Sequence, residues 1–306
     1  MLEATADFLA LQVQSRLLRK RRPILAGYKL TYRCNLGCPQ CPFWKMRSEE
    51  LGLAGALDVV ARLYELGARI LILEGGEPLL WGAPGELGFL IRQAQRLFWS
   101  VGLVTNGALP LPLEPDVLWV SVDGLPETMA ALRAPVFDKV MANIEACDHK
   151  RLLAHITVSA VNAPELAELI RFLAPRVRGI TVQFYYPYTG DTGLMLPRPQ
   201  RAEVIADLLA LKRAGYPILN STAALRALAA ESGWRCHPWL VASANPDGSI
   251  VQGCYLKGRA PIACEWCGFS AHTEMSLAYD LNPAAIVAGL RVFGLMPSLK
   301  RENSKR

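Results

Sequence analysis

Cys34-Asn35-Leu36-Gly37-Cys38-Pro39-Gln40-Cys41 follows directly on the apolar, β-favouring stretch Tyr28-Lys29-Leu30-Thr31-Tyr32, and the chain later reads Gly75-Gly76-Glu77-Pro78. Three thiolates on one tight loop can hold three irons of a cubane iron–sulfur cluster, since cysteine thiolates are the usual cluster ligands. The fourth iron then stays open to a substrate or cofactor. Both motifs sit where an apolar run ends, so each is expected on a loop at the C-terminal end of a strand.

Outward from these loops, residues 28 to about 215 alternate short β-branched or apolar runs with longer segments of helical period. That pattern predicts an α/β fold with a parallel sheet wrapped by helices. Strands are expected at 28–33, 69–74, 101–105, 117–122, 154–160 and 180–186, and helices near 53–66, 86–98, 136–147, 164–174 and 199–214. The connection from Asn106 to Asp116 is crowded with proline and glycine and leaves room for little helix. Six such units make a partial (β/α)6 barrel, whose chemistry belongs on the loops after the strands.

The cysteine loop followed by Gly75-Gly76-Glu77-Pro78 resembles the radical S-adenosylmethionine (radical SAM) superfamily. The resemblance implies a [4Fe-4S] cluster on Cys34, Cys38 and Cys41, with S-adenosyl-L-methionine chelating the open iron and cleaved there to a 5′-deoxyadenosyl radical. It further implies that Gly75, Gly76 and Glu77 hold the cofactor, the glycines by close backbone approach and Glu77 by offering a carboxylate to an ammonium group. Thr105-Asn106-Gly107 and Ser121-Val122-Asp123-Gly124 end the third and fourth strands. In the family plan Thr105, Asn106, Ser121 and Asp123 line the same mouth, and each also makes sense as part of an ordinary strand-ending turn. Many members carry an aromatic residue before the third cysteine; here that position is Gln40, with Phe43 and Trp44 close by. The aromatic run Phe184-Tyr185-Tyr186-Pro187-Tyr188 at the sixth strand is expected to line a pocket or to pack in the core.

After residue 220 a helical stretch at 222–232 gives way to a hairpin-like Asn245-Pro246-Asp247-Gly248 and to a second cysteine set, Cys236, Cys254, Cys264 and Cys267. Four thiolates suit either a second [4Fe-4S] cluster or a tetrahedral zinc ion. By resemblance to shortened SPASM/twitch extensions, the cluster is favoured over zinc. His272 and Glu265 are further candidate ligands, read first as surface or turn residues, and Cys147 is read as a small buried apolar residue. The division expected is an N-terminal helix at 1–27, a partial barrel at 28–218 and a C-terminal extension at 219–306.

Leu2, Ala6, Leu9, Val13 and Leu17 fall on one helical face just before Arg19-Lys20-Arg21-Arg22. Such a helix suits an anionic membrane surface, or it packs on the barrel with its arginines at the helix C-terminus. Short phrases around Cys236, Cys254 and Cys267 are similar to radical enzymes that act on hopanoid lipids, so a lipid or isoprenoid substrate stands beside the alternative of a peptide or protein. Only some 27 residues precede the first strand, which weighs against a separate peptide-recognition domain. A non-catalytic iron–sulfur or zinc scaffold is a further alternative.

The net charge of +6 is confined to the ends: residues 16–22 carry +5, residues 300–306 carry +3, and the remainder sums to −2. A nucleic-acid groove needs basic residues spread along the body, so no nucleic-acid partner is expected. With clustered cysteines, no membrane-length apolar run and no signal-peptide pattern, the expected compartment is the cytoplasm, with contact at the inner membrane face through the N-terminal helix. An electron donor such as flavodoxin or ferredoxin is implied by the family chemistry.

Overall fold

The structure is a computed structural model that describes residues 2–229 and 233–296. The basic residues from Lys300 to Arg306, the end of the expected 222–232 helix, and the side chains of Leu2 and Ala6 lie outside the described part. One eight-stranded sheet runs in the order β6-β5-β4-β3-β2-β1-β7-β8. Its strands are β1 (Leu25–Lys29), β2 (Ile70–Glu74), β3 (Ser100–Thr105), β4 (Val117–Ser121), β5 (Leu152–Val158), β6 (Gly179–Phe184), β7 (Val241–Ala244) and β8 (Ile250–Gln252). Neighbours from β6 through β7 are parallel, and only β7 and β8 pair antiparallel. The sheet is open among the described residues, with β6 and β8 at its edges.

All six expected strands are present, with shifted ends. β1 starts at Leu25 rather than residue 28, and the chain leaves the sheet before the cysteines; Thr31 to Arg33 are already loop. β6 stops at Phe184, so the aromatic run beyond it no longer alternates between two faces. The helices are α1 (Leu2–Arg16), α2 (Leu53–Leu66), α3 (Glu86–Ala94), α4 (Pro126–Leu132), α5 (Phe137–Glu145), α6 (Leu166–Leu173), α7 (Arg198–Arg213), α8 (Thr222–Ala229), α9 (Ser270–Tyr279) and α10 (Pro283–Val292). No helix joins β3 to β4, as the crowded connection predicts. The seven-residue α4, opened by Pro126 in its first turn, was not expected.

Strand alternation sorts the core into two faces. Tyr28, Leu71, Leu73, Leu103, Leu118, Val120, Ile156 and Val182 point to the helix layer and meet residues such as Val60 and Leu63 of α2 and Leu169 of α6. Each such aliphatic side chain stabilises the fold by about 1.5–3 kcal/mol on full burial. Leu25, Ile70, Val117, Trp119, Leu153 and Val241 point the other way, toward Leu11 of α1, Tyr279 of α9 and Phe293.

The chain after residue 220 joins the same sheet. β7 lies parallel beside β1, pairing Leu25 with Val241 and Gly27 with Ser243. The Asn245 to Gly248 turn forms as expected, closed by the Gly248 amide donating to the Asn245 carbonyl at 3.0 Å, with Gly248 at φ 78°. α9 crosses the inner side of the sheet. Its Glu274 accepts the Ser221 amide at 2.6 Å, and burial pushes its carboxyl up to about 7.

A carboxyl whose folded pKa is raised keeps its proton while the unfolded chain has already lost it, so stability falls as pH rises from about 4.5 to about 7. Glu274→Gln removes that slope. Urea melts at pH 5 and pH 8 should show the variant gaining stability over the parent at pH 8 by on the order of 2 kcal/mol relative to pH 5. An unchanged difference between the two pH values would remove Glu274 as a buried titrating group. His272 acts oppositely: burial pushes it down to about 4, so its contribution is lost as pH falls below its ordinary value.

Candidate functional site

Three loops build the site. The Cys41 amide donates to the Cys38 carbonyl at 3.2 Å, and the Trp44 indole donates to the same carbonyl at 3.0 Å. This winds the cysteine loop into a tight turn. Its thiols sit among Leu36, Ala108, Ala134 and Val136. Burial pushes Cys38 up to about 11 and raises Cys34, and the neighbouring thiols add to both shifts. Three cysteines on one turn beside an open cavity are a donor set that fits an iron–sulfur cluster.

Gly75 and Gly76 show why that loop is held where it is. A Cβ on Gly75 would lie 2.6 Å from the Thr31 carbonyl oxygen, and one on Gly76 would lie 2.3 Å from that of Arg33. The amides of Gly76 and Glu77 donate to the carbonyls of Thr31 (2.7 Å) and Arg33 (2.8 Å). The observed close approach of both glycines is therefore to the chain entering the cysteine loop. Gly76 lines the cavity beside the thiols.

Glu77 is fully buried. Its Oε1 accepts the Thr105 hydroxyl at 2.8 Å and the Leu79 amide at 3.1 Å, while Oε2 accepts the Asn106 amide at 2.8 Å. Burial raises its pKa against these three donors. The carboxylate thus ties the β2 loop to the end of β3. Asn106 passes the link on, donating to Asn35 at 2.7 Å within the cysteine loop.

Asp123 accepts the Arg133 Nε at 2.7 Å and the Thr157 amide at 2.7 Å. Arg133 is a site residue that the sequence did not reveal, because an arginine just after a short helix carries no distinguishing pattern. Burial opposes its charge, but the carboxylate of Asp123 more than offsets this and raises the guanidinium above the usual arginine range. Ser121 lines a second, deeper cavity.

The upper cavity, about 200 Å³, lies between the thiols, Gly76, Asn106, Asp123, Arg133 and the aromatic run of Phe184 to Tyr188. Gln40, where an aromatic residue was noted as missing, turns a buried and unpartnered Oε1 into this region. Phe43 stacks on Tyr32 and meets Tyr188 edge-on with ring centres 5.3 Å apart. Arg133, Thr157, Gln183, Tyr188 and Phe269 are shared with the deeper cavity, a lumen of about 360 Å³ along the inner face of the sheet. A filled barrel packs branched side chains inward. Here Gly27, Ser121, Thr157 and Thr181 stand at inward positions beside Ile72 and Val104, and the space stays open. Its far end is apolar, lined by Leu25, Trp119, Val241, Met275, Val292 and Phe293.

The second cysteine set lies on the chain after β6, in the segments around Pro238–Leu240, β8 and the loop before α9. Cys254 and Cys267 are half-buried beside Tyr186, Tyr255 and Phe269, while Cys236 and Cys264 are exposed. Arg201 of α7, itself buried, donates to the carbonyls of Cys267 (3.0 Å) and Trp266 (3.2 Å) and fastens this loop to the helix layer. Glu265 is exposed, whereas His272 is buried rather than a surface residue: its Nε2 accepts the Tyr255 amide at 3.1 Å. Cys147 packs against the main core. Among the described residues no three His, Cys, Asp or Glu side chains are arranged to hold a single metal ion.

The family model described as the radical SAM superfamily matches residues 28–192, more than half of the chain. A 7-carboxy-7-deazaguanine synthase from Hyperthermus butylicus is 37% identical over 104 residues, a match spanning 32% of this chain and 42% of that protein. Among solved structures, Streptococcus suis SuiB bound to precursor peptide SuiA aligns at TM-score 0.64 and 13% identity over 99% of this chain and 73% of its own. anSMEcpe with bound AdoMet and a peptide aligns at TM-score 0.57 and 17% identity over 93% of this chain and 86% of its own. The parallel sheet matches the partial barrel of these neighbours. The chain therefore belongs to the radical SAM superfamily.

Proposed function

We propose that Cys34, Cys38 and Cys41 ligate the radical SAM cluster, that S-adenosylmethionine occupies the upper cavity, and that the substrate is an apolar, lipid-like molecule seated in the lumen below. When bound, the reduced cluster and its cofactor supply a 5′-deoxyadenosyl radical, with the electron coming from a donor such as flavodoxin or ferredoxin. The residues around them position and shield. Gly75, Gly76 and Glu77 fix the loop that carries the thiols, Thr105 and Asn106 extend that anchorage, and Asp123 aims Arg133. Arg133 offers a fixed cation to a carboxylate in the upper cavity, and the unpartnered Gln40 amide offers a hydrogen-bonding edge to a polar ring. Ser121 and Thr157 leave the passage between the two cavities open to the substrate. The observation that carries the lipid-like reading is the lumen itself, apolar at its far end and joined to the upper cavity by shared walls.

The N-terminal helix supports the same reading. Ser15 pairs with the Tyr279 hydroxyl at 2.9 Å, and Gln12 and Arg16 donate to the Tyr279 carbonyl at 2.9 and 2.8 Å. That docking leaves Leu9, Val13 and Leu17 at 59%, 50% and 74% exposure, beside Arg19, Lys20, Arg21 and Arg22. An apolar stripe flanked by cations suits the surface of an anionic bilayer, and among the described residues no helix is long and apolar enough to cross one. A second reading, a peptide- or protein-modifying enzyme, is favoured by the neighbours SuiB and anSMEcpe, each of which is seen with a peptide bound.

Cys236, Cys254, Cys264 and Cys267 are assigned to a second [4Fe-4S] cluster. Zinc at about 2.3 Å from each of four thiolates is the alternative occupant of the same cysteines. A cubane takes each thiolate at a separate corner. The C-terminal segment, 219–306, would then act as a brace that holds this cluster beside the barrel of residues 28–218.

Anaerobic reconstitution should load about eight irons per chain, and Cys254→Ala with Cys267→Ala should lower this to about four. One zinc per chain in place of the second set would overturn the assignment. With dithionite and S-adenosylmethionine the parent should release 5′-deoxyadenosine, and Cys38→Ala should release none above background. Incubation with a bacterial lipid extract should yield a lipid-derived adduct by mass spectrometry; an adduct confined to a peptide library would favour the second reading. In flotation assays with vesicles of 30% anionic lipid, Leu9→Asp with Val13→Asp should cut binding about tenfold or more. Equal binding by parent and variant would remove α1 as the contact.

A further inference from the structure

One rung of polar side chains crosses the lumen wall below the cofactor site. Ser121 of β4, His155 of β5 and Thr181 of β6 stand opposite one another in the sheet, and all three line the lumen. Alternation along β5 puts His155 on this face: Leu153 and Thr157 share it, while Ala154 and Ile156 face the helices.

A single contact aims the imidazole. Its Nδ1 lies 2.9 Å from the Thr181 hydroxyl, which in turn reaches the Ala154 carbonyl at 3.4 Å. Nδ1 is thereby occupied, and Nε2 has no hydrogen-bond partner among the described residues. Nor is Nε2 one of the polar atoms closed off by packing; His155 is half-buried and borders an open space of about 360 Å³. The Ser121 hydroxyl on the adjacent strand borders the same space and is likewise not closed off.

The surroundings select the kind of group that fits. Burial pushes His155 down to about 4, with Asp123 opposing that shift and Arg133 adding to it, so the ring is neutral near pH 7. The charged side chains along the lumen are already matched, Arg133 with Asp123 at 2.7 Å and Glu74 with Lys29 at 3.3 Å. Glu274 accepts the Ser221 amide and is pushed up to about 7 by burial. A carboxylate or ammonium group beside His155 would therefore be buried without a counter-ion, which is strongly unfavourable. An uncharged oxygen carries no such penalty. Nε2 serves it as donor or acceptor according to the tautomer, and the Ser121 hydroxyl serves as either.

We propose that His155, aimed by Thr181, positions the substrate by holding one uncharged oxygen of it, an alcohol or a carbonyl. The inference rests on the lumen being the substrate's seat, and it fixes where along the molecule that oxygen lies. Thr157, two residues further along β5, lines both cavities, so His155 sits about 7 Å below the neck that joins them. Trp119, two residues before Ser121 on β4, begins the apolar end. The substrate thus presents a carbon at the neck, an oxygen several bonds deeper, and an apolar body running past Trp119 toward Met275 and Phe293.

The test titrates the reconstituted protein calorimetrically with three aromatic probes of similar size: benzyl alcohol, acetophenone and ethylbenzene. Ethylbenzene binding to the parent reports on the lumen itself, independently of His155. His155→Leu should weaken benzyl alcohol or acetophenone about fivefold or more while ethylbenzene stays within about twofold. The probe that loses more identifies the oxygen as alcohol or carbonyl. Thr181→Val, nearly equal in size, releases the ring and should weaken the same probe, so the test holds even if His155→Leu does not fold. Equal weakening of all three probes would overturn the proposal and leave His155 a packing role; no weakening of any would overturn it and leave Nε2 to a water molecule. Failure of ethylbenzene to bind the parent would overturn the lumen as the substrate's seat, and the proposal with it. Release of 5′-deoxyadenosine, measured on the same preparation, reports on the radical chemistry separately.

Discussion

The buried carboxylate of Glu77 is the point on which the rest of the site hangs. It takes three donors, from Thr105, Asn106 and Leu79, in a place with no solvent. A buried carboxylate without such partners would cost several kcal/mol, and each hydrogen bond to a charged acceptor returns about 1.5–3. The arrangement therefore persists only as a whole. Through Asn106 it reaches the cysteine loop, and through the amides of Gly76 and Glu77 it grips the carbonyls of Thr31 and Arg33. The spacing of Cys34, Cys38 and Cys41 relative to β3 follows from that one junction, and with it the position of any group the thiols hold.

A second constraint shapes the interior. Gly27, Ser121, Thr157 and Thr181 put small or polar side chains at inward positions where a packed barrel would carry valine, isoleucine or leucine, while Leu25, Ile72, Val104 and Val241 keep that pattern, and Trp119 meets Phe293 with ring centres 6.1 Å apart. α9 and α10 cover the inner side, and α1 is fastened to α9 through Tyr279. The lumen is thus walled on this side by α9 and α10, with α1 held against α9.

The parallel α/β sheet, its six βα strands and the cysteine loop were legible because each leaves a periodic or spaced pattern in the chain. Strand ends were not: Leu25 to Gly27 read as a lead-in to Tyr28, yet pairing on both sides with β2 and β7 draws them into β1. The segment after residue 220 read as a small appended unit, and nothing local announces that Val241 to Ala244 will pair with a strand more than two hundred residues earlier. Gly75 and Gly76 were singled out for close backbone approach, and both lie tight against the chain entering the cysteine loop, with Gly76 also lining the cavity. Arg133 and the openness of the lumen were invisible, since both depend on which distant residues end up adjacent.

The proposed site turns on the Cys34, Cys38 and Cys41 loop presenting an open coordination site to S-adenosylmethionine. Electron paramagnetic resonance of the dithionite-reduced, reconstituted protein before and after addition of the cofactor tests it most directly, with the Cys254→Ala and Cys267→Ala variant used to leave only the first cluster. The account predicts that the variant's cluster signal changes on addition of the cofactor and that isotopic labelling of its methionine nitrogen produces a hyperfine coupling. A reduced cluster whose spectrum is the same with and without cofactor would contradict it.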